Sequence, residues 1–326
     1  CYCAVFSGFL FSLSATLFKG GLLNILGADP GNLEQTSAYL FWTVTCGAIP
    51  SILNVVMGSM VRAEGSAVHA SIGTMSGCFL NIILDPLFIL PRFLNMGAAG
   101  AGLATFISNS AACLYFIIFM LIKKEKTYVN MKPSYFKPTK KLVKGVMAVG
   151  VPSAIQNLLN VTGMTVLNNF TAAFGSQAVS AMGIAHKTAM IPMYIAMGFG
   201  QGIMPLVGYN FAAGNRNRVK KTLDFSLIID IAFMSAAAAF MCVFSSQIVS
   251  LFMEDAVIVD YGSKFLIGNS LAQPFLCIDF LAVGVFQACG MGKRAFIFAV
   301  LRKIALEIPA LFILNRLFPL YGLAYA

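Results

Sequence analysis

One polar stretch, Asn81-Ile82-Ile83-Leu84-Asp85-Pro86, interrupts a long apolar run of the sequence. Asn81 and Asp85 are four residues apart, so a helix places both side chains on one face. Because Pro86 has no N–H, the carbonyl of Ile82 loses its helical partner and becomes an available oxygen. These oxygens suit a hard monovalent cation or a proton. The alternative is structural, with Asp85 bonded to a neighbouring helix and Pro86 only bending the chain.

A second acidic residue, Asp279, lies in a later apolar run. Ionisable groups inside a membrane are costly and are functional hypotheses by default. Asp279 has no acidic or amide residue four positions away, so a hydrogen-bonded structural carboxylate competes with a second acidic site. Asp230 and Glu307 lie closer to run ends or to basic residues. Since Glu307 follows Lys303 by four residues, the sequence predicts an ion pair between them.

Three amides follow Pro152 within one apolar run: Gln156, Asn157 and Asn160. Uncharged amides suit a cavity that binds large organic cations. They also form hydrogen bonds between membrane helices, which is the commoner use. The sequence therefore indicates a candidate substrate cavity and leaves the helix-packing alternative open.

The composition determines which kind of element carries these residues. The 326 residues are 59% apolar and 10% charged, whereas a soluble domain is about 45–50% apolar and about 25% charged. This predicts an integral membrane protein. The eight cysteines have no close pairing with the two histidines, so we expect no cofactor and no metal other than Na⁺ at Asp85 and Asn81. The absence of a serine nucleophile elbow and of HExxH argues against an enzyme.

Nine apolar runs are long enough to span a membrane as helices, and a tenth begins at Leu320. The runs cover residues 1–26, 38–61, 67–90, 97–122, 146–174, 178–210, 223–253, 261–289 and 295–315. Their length exceeds the about 10 residues of a barrel strand, so we predict an all-α fold with nine to ten helices present.

The loops between these runs alternate in charge. The second, fourth, sixth and eighth connections hold 15 of the 22 basic residues, and the odd-numbered connections are mainly acidic. The positive-inside rule places the basic connections in the cytoplasm. We therefore expect a multi-pass protein of the cytoplasmic membrane, in which the net charge of +10 reflects topology and not nucleic-acid binding.

An internal repeat divides the sequence into two halves. Leu87-Phe88-Ile89-Leu90 recurs as Leu311-Phe312-Ile313-Leu314, offset by 224 residues. Six helices separate the copies, which predicts parallel repeats and two pseudo-symmetric six-helix bundles, a transporter architecture. We expect an N-terminal lobe at 1–122, a cytoplasmic basic linker at 123–145 and a C-terminal lobe at 146–326. By this repeat the sequence is a fragment without helices one, two and most of twelve.

Two longer stretches resemble the multidrug and toxic compound extrusion (MATE) family. One runs from Arg62-Ala63-Glu64-Gly65 through the Asp85 segment to Gly97-Ala98-Ala99-Gly100-Ala101-Gly102-Leu103-Ala104-Thr105. The other is Pro205-Leu206-Val207-Gly208-Tyr209-Asn210-Phe211-Ala212-Ala213-Gly214-Asn215. The resemblance covers essentially the whole chain and implies a twelve-helix antiporter. Such a protein exchanges H⁺ or Na⁺ for organic cations by alternating access.

The resemblance also assigns site residues. Several members combine an Asp on helix one, an Asn and an Asp on helix five and a Thr on helix six. Asn81 and Asp85 match the helix-five pair and Thr105 is the best match on helix six, while the helix-one Asp falls before the sequence. Another branch uses an acid on helix ten, where Asp279 corresponds. That branch also has a Glu on helix seven, where this chain offers only Gln156 and Asn157.

The expected function is therefore a cation-coupled exporter of small organic cations that acts as a monomer in the lipid bilayer. One alternative is a flippase of lipid-linked oligosaccharide precursors. It would need a basic cavity for a pyrophosphate, and Lys187 is the one deep candidate. A membrane-embedded enzyme would need convergent histidines or carboxylates, which the sequence does not show.

Overall fold

The computed structural model describes residues 2–25, 33–123 and 139–324, and within these ranges the chain is helical without strands. The helices are α1 (Tyr2–Leu17), α2 (Lys19–Ile25), α3 (Leu33–Leu40), α4 (Ala48–Ala63), α5 (Ala67–Ile89), α6 (Gly97–Ile122), α7 (Lys140–Ala172), α8 (Ser176–Ala212), α9 (Arg216–Val243), α10 (Ser245–Ser250), α11 (Ala256–Ala288), α12 (Gly292–Val300) and α13 (Ile308–Leu317). Two π-helical segments, Phe41–Cys46 and Leu301–Glu307, and a 3₁₀ turn, Tyr321–Ala324, complete the elements.

Six of these described helices, α5 to α9 and α11, are long and apolar enough to cross a membrane. The bent pair Leu33–Cys46 and Ala48–Ala63 adds a seventh candidate span. The other two predicted spans correspond to α1, a shorter apolar helix of 16 residues, and to the helical run α12–π–α13. The all-α integral membrane fold is confirmed.

Two predicted runs differ from the helices that form. The run at 223–253 is interrupted, because α9 ends at Val243 and the short α10 follows Phe244. The run at 1–26 is interrupted at Phe18, between α1 and α2. Apolar length alone does not reveal such breaks, since a run of apolar residues continues through a change of helix direction.

The chain forms two compact units, Cys1–Lys137 and Pro138–Ala326. Most of the predicted linker at 123–145 lies outside the described residues, which resume at Thr139. The last part of that range is helical, because α7 begins at Lys140 and Thr139 caps it by accepting a hydrogen bond from the Leu142 N–H.

The core of the first unit forms where α4, α5 and α6 meet. Its buried residues are Met57, Val61, Ala70, Phe116 and Met120. Phe116 of α6 is fully buried, and a Cβ added at Gly73 of α5 would lie 2.5 Å from its ring atoms. Small residues on α5 thus let the two helices approach closely, as is usual between membrane helices.

The core of the second unit is larger and joins α8 to α11 and to the end of the chain. It contains Ala178, Ala181, Met182, Ala185, Met241, Val249, Ile258, Phe265, Leu266, Leu311, Leu320, Leu323 and Ala324. Gly268 of α11 lies against Ala324, where an added Cβ would be 2.9 Å from the alanine carbonyl oxygen. The absence of a side chain at Gly268 therefore lets the 3₁₀ turn pack on α11.

Two turns recur in both units at matching positions. Gly65 ends α4 and Gly290 ends α11, both with positive φ. Each begins the same pair of hydrogen bonds, Gly65 to Arg62 and Gly290 to Gln287, followed by a bond that spans five residues. This is the Schellman motif, for which glycine is preferred because φ is positive. Their separation of 225 residues recurs between Asn95 and Leu320, which also have positive φ. The turns are therefore one residue out of step with the tetrapeptide offset of 224.

Candidate cation site

The face of α5 that packs on α6 leads directly to the predicted site residues. Its buried positions are Ala70, Gly73 and Gly77. Asn81 and Asp85 follow Gly77 at intervals of four residues, so they extend the same face by two turns. The small side chains of the first part of the helix thus orient the polar part toward the neighbouring helix.

Two close contacts align α6 against this part of α5. A Cβ added at Gly77 would lie 3.1 Å from the Ser108 carbonyl oxygen, and one at Gly100 would lie 2.6 Å from the Phe88 carbonyl oxygen. Thr105 lies between these two contacts along α6. The pairing of the antiparallel helices therefore places Thr105 at about the level of Asn81.

The carboxylate of Asp85 is half-buried and has one hydrogen-bond partner in the described structure. Asn81 Nδ2 donates to its Oδ1 at 3.2 Å. The salt bridges found among the described residues do not include Asp85. Since the Asn81 amide donates through nitrogen, its oxygen stays available to a cation. The arrangement leaves a carboxylate oxygen and an amide oxygen on one helix face, as a proton or Na⁺ site requires.

The hydroxyl of Thr105 donates to the Ala101 carbonyl at 2.9 Å, within α6. Its oxygen lone pairs remain able to accept. Asn109 Nδ2 donates to the Thr105 carbonyl at 3.0 Å, and Asn54 Nδ2 of α4 donates to Asn109 Oδ1 at 3.0 Å. This amide pair joins α4 to α6 beside Thr105. It was not predicted, although two amides in apolar runs are a signal for helix–helix hydrogen bonding.

Asp279 has a basic partner. Arg302 Nη1 lies 2.5 Å from Asp279 Oδ2, and the two side chains are 15% and 16% exposed. Arg302 Nη2 also donates to Asn160 Oδ1 at 3.1 Å, and its guanidinium carbon lies 5.2 Å from the centre of the Phe280 ring. A guanidinium therefore already compensates the Asp279 carboxylate. The sequence did not suggest this partner, because Arg302 follows Asp279 by 23 residues in another helical segment.

The predicted ion pair between Lys303 and Glu307 is confirmed, with 2.6 Å between the lysine Nζ and a carboxylate oxygen. Both residues belong to the π-helical segment Leu301–Glu307, as does Arg302. Gly163 of α7 faces this pair, since an added Cβ would lie 2.9 Å from Glu307 Oε1. π-helical segments occur often at functional sites, and this one concentrates three charged side chains.

The three amides of the predicted substrate cavity do not share one face of α7. Gln156 is buried and accepts a hydrogen bond from Gln287 Nε2 at 3.3 Å. Asn160, one turn later on the same face, accepts from Arg302. Asn157 is exposed. The first two amides thus join α7 to α11 and to the π-helical segment, and the cavity stays a prediction.

Comparison with known proteins gives consistent matches along the chain. The MatE family model matches residues 152–313. The multidrug export protein MepA of Staphylococcus aureus strain NCTC 8325 / PS 47 is 34% identical over 328 residues, covering 100% of this chain and 70% of that protein. MepA of Staphylococcus saprophyticus is 33% identical over 306 residues, covering 94% of this chain and 66% of that protein.

Solved structures share the fold over almost the whole chain. An outward-facing multidrug resistance MATE family transporter of the MOP superfamily matches with a TM-score of 0.91 and 23% identity, covering 99% of this chain and 72% of that one. The Vibrio cholerae MATE transporter VcmN matches with a TM-score of 0.90 and 20% identity, covering 99% and 72%. At these identities the likeness concerns the fold alone.

Proposed function

We propose, because the chain belongs to the multidrug and toxic compound extrusion (MATE) family, that it is a multidrug exporter driven by a cation gradient. It exchanges H⁺ or Na⁺ for small organic cations by alternating access. The family consists of transporters, so the enzyme alternative is excluded. The protein acts as a monomer in the cytoplasmic membrane, with its basic loops in the cytoplasm.

The half-buried carboxylate of Asp85 carries this proposal. It lies in the candidate membrane span α5, with Asn81 on the same face and Thr105 at the same level of α6. Burying a carboxylate in an apolar environment is costly unless its charge is compensated. Because the salt bridges of the described residues do not include Asp85, a bound proton or Na⁺ can provide that compensation.

Neutralisation of Asp85 is the coupling step. The charged form favours a conformation in which water reaches the carboxylate, and the neutral form favours one in which α5 and α6 pack around it. Reciprocity then requires that the coupling ion and the organic cation oppose each other's binding. The flippase alternative lacks similar support, because Lys187 is exposed on α8.

Ethidium transport in proteoliposomes tests the proposal. We would impose a proton gradient without Na⁺, and separately a Na⁺ gradient at equal pH. Asp85→Asn is expected to reduce gradient-driven ethidium transport by about tenfold or more, equivalent to about 1.4 kcal/mol in the rate-limiting barrier. Asp260→Asn is the matched control, because Asp260 is exposed and pairs with Lys264.

Equilibrium binding separates a loss of coupling from a loss of folding. In the wild-type protein the driving ion should weaken ethidium binding, by the reciprocity stated above. Asp85→Asn should bind ethidium with an affinity that no longer responds to the ion. Normal gradient-driven transport by Asp85→Asn, or an unchanged response of binding to the ion, would refute the assignment.

A further inference from the structure

A second acidic residue, Asp230, is buried more deeply than either predicted acid. It is the fifteenth of the 28 residues of α9, a candidate membrane span, and is 3% exposed. The sequence suggested a position near the end of its run. The structure instead places Asp230 in the middle of the helix, because α9 begins seven residues before the predicted start and ends at Val243.

The surroundings of Asp230 are apolar and come from three helices. Met234 lies one turn further along α9 and forms a buried cluster with Ala196 of α8 and Cys277 of α11. Met193 of α8 packs against the same cluster. The charge of Asp230 acts on the Cys277 thiol, so the carboxyl group lies close to this residue of α11. We refer to these five residues as the Asp230 cluster.

The charged groups of α11 do not compensate Asp230. Cys277 is the titratable residue of α11 that faces it, and a thiol cannot supply a positive charge. Asp279 follows Cys277 by two residues, which on a helix is a rotation of about 200°. Asp279 therefore points to another side of α11, where Arg302 pairs with it at 2.5 Å.

The charged groups of the other helices around Asp230 are also distant. His186 and Lys187 lie about 9 to 11 Å before the first α8 residue of the Asp230 cluster along the helix axis. Tyr194 of α8 is 59% exposed. On α9, Lys221 lies about 14 Å and Asp224 about 9 Å before Asp230 along the axis. The short α10 contains no titratable residue.

No hydrogen bond or ion pair with the carboxyl of Asp230 occurs within residues 2–25, 33–123 and 139–324, the part of the chain described above. An ionised carboxylate in such surroundings is strongly disfavoured, so the group binds a proton instead. One further observation agrees. Gln273, one turn before Cys277 on α11, is 2% exposed, and its acceptor Oε1 has no donor. A protonated carboxyl would bring a donor into this polar-poor region, whereas a carboxylate would bring only acceptors.

We propose that Asp230 is a proton-binding site in the second unit, occupied by H⁺ at neutral pH in the conformation described here. The proton binds to a carboxylate oxygen and leaves when that oxygen meets water or a cation in another conformation. Proton binding is inferred from the burial of Asp230 and its lack of partners. Its use as a second proton in the transport cycle rests on the proposed exporter function.

Infrared spectroscopy of the purified protein in lipid tests the proton directly. A protonated carboxyl has a carbonyl stretching band that a carboxylate lacks, and an exposed aspartate, with an ordinary pKa of about 3.9, is ionised at neutral pH. We expect a protonated-carboxyl band at neutral pH in the wild type that is absent in Asp230→Asn and disappears as the pH is raised. Asp260→Asn should retain the band, since Asp260 is 53% exposed and paired with Lys264.

Isotope labelling keeps the test decisive if Asp230→Asn does not fold. Protein produced with aspartate carrying ¹³C in its side-chain carboxyl should show the band at an isotopically shifted frequency. In Asp230→Glu the remaining acid is unlabelled, so the band should return to its unshifted frequency. A wild-type spectrum with no labelled protonated-carboxyl band at neutral pH would overturn the proposal.

Proton counting connects this site to transport and separates the two proposals. If both hold, ethidium binding should release one proton fewer from Asp230→Asn than from the wild type, and Asp85→Asn should lose ion-responsive ethidium binding. Loss of the Asp85 effect while the infrared band of Asp230 persists would contradict the exporter mechanism alone. Absence of the Asp230 band with normal Asp85 behaviour would contradict the proton site alone.

Discussion

Arg302 and Asp279 form an ion pair with 2.5 Å between Nη1 and Oδ2. The acid comes from α11 and the arginine from the π-helical segment Leu301–Glu307, so the pair links two helical segments of the second unit. Asn160 of α7 accepts from the same guanidinium. A soluble cation can therefore bind Asp279 only if it displaces an arginine that is already held by two other groups.

This geometry predicts a strong coupling between the two charges. Arg302→Met alone should leave an uncompensated carboxylate and lower the free energy of unfolding by about 3–5 kcal/mol. The double variant Arg302→Met/Asp279→Leu should recover most of that loss, because both charges are removed together. The measurement is thermal unfolding in detergent for both single variants and the double variant.

The exposed pair Lys264–Asp260 is the matched control for this cycle, with side chains 48% and 53% exposed. Its removal should change the free energy of unfolding by less than about 1 kcal/mol. If the Arg302/Asp279 double variant were destabilised by the sum of its single variants, the two side chains would not act as a pair.

A second prediction concerns the contact that positions Asp85 relative to Thr105. In Gly100→Ala the new Cβ would lie 2.6 Å from the Phe88 carbonyl oxygen. Backbone cannot move away as easily as a flexible side chain, so we expect a loss of about 1–3 kcal/mol in stability and reduced ethidium transport. Gly183→Ala has no neighbouring atom within 4 Å and should be neutral or stabilise α8 by about 0.5–1 kcal/mol. Equal behaviour of the two variants in thermal unfolding would contradict the packing argument.

Much of the fold follows from the pattern of apolar runs. The helices α5 and α6 match the runs at 67–90 and 97–122 to within one residue, because each run ends at a turn with residues of positive φ or at a charge. The break between α9 and α10 and the π-helical segment Leu301–Glu307 were not predicted. Both occur within continuous apolar or helical patterns, and tertiary packing determines the local change of geometry.

The candidate site was only partly accessible to sequence reasoning. Asn81 and Asp85 are neighbours on one helix, so their spacing predicts their hydrogen bond. The partners that come from distant segments, such as Arg302 for Asp279 and Asn54 for Asn109, depend on how helices pack. The burial of Asp230 also depends on packing, since α8 and α11 cover it. A single sequence reports the first kind of relationship and not the second.

Thr105 gives a third prediction, which distinguishes the coupling ion. A hydroxyl oxygen can coordinate Na⁺, whereas a valine of similar shape cannot. We expect Thr105→Val to raise the Na⁺ concentration for half-maximal ethidium transport by about tenfold, or about 1.4 kcal/mol, and to leave proton-driven transport within about twofold. Thr105→Ser should retain the Na⁺ response. An equal loss with both gradients would indicate that Thr105 acts only through packing of α6.

The ends of α5 allow a direct test of the proposed sidedness. Ala63, next to the turn at Gly65, and Arg92, beyond the other end of the helix, are both exposed. The 23 residues of α5 span about 34 Å, which is enough to cross the hydrocarbon core. In a background without the native cysteines, Arg92→Cys should react with a membrane-impermeant maleimide added to intact cells. Ala63→Cys should react only after the membrane is opened, because the positive-inside rule places the Arg62 turn in the cytoplasm. Labelling of Ala63→Cys in intact cells, with Arg92→Cys protected, would reverse the orientation. It would also place the basic connections outside the cell.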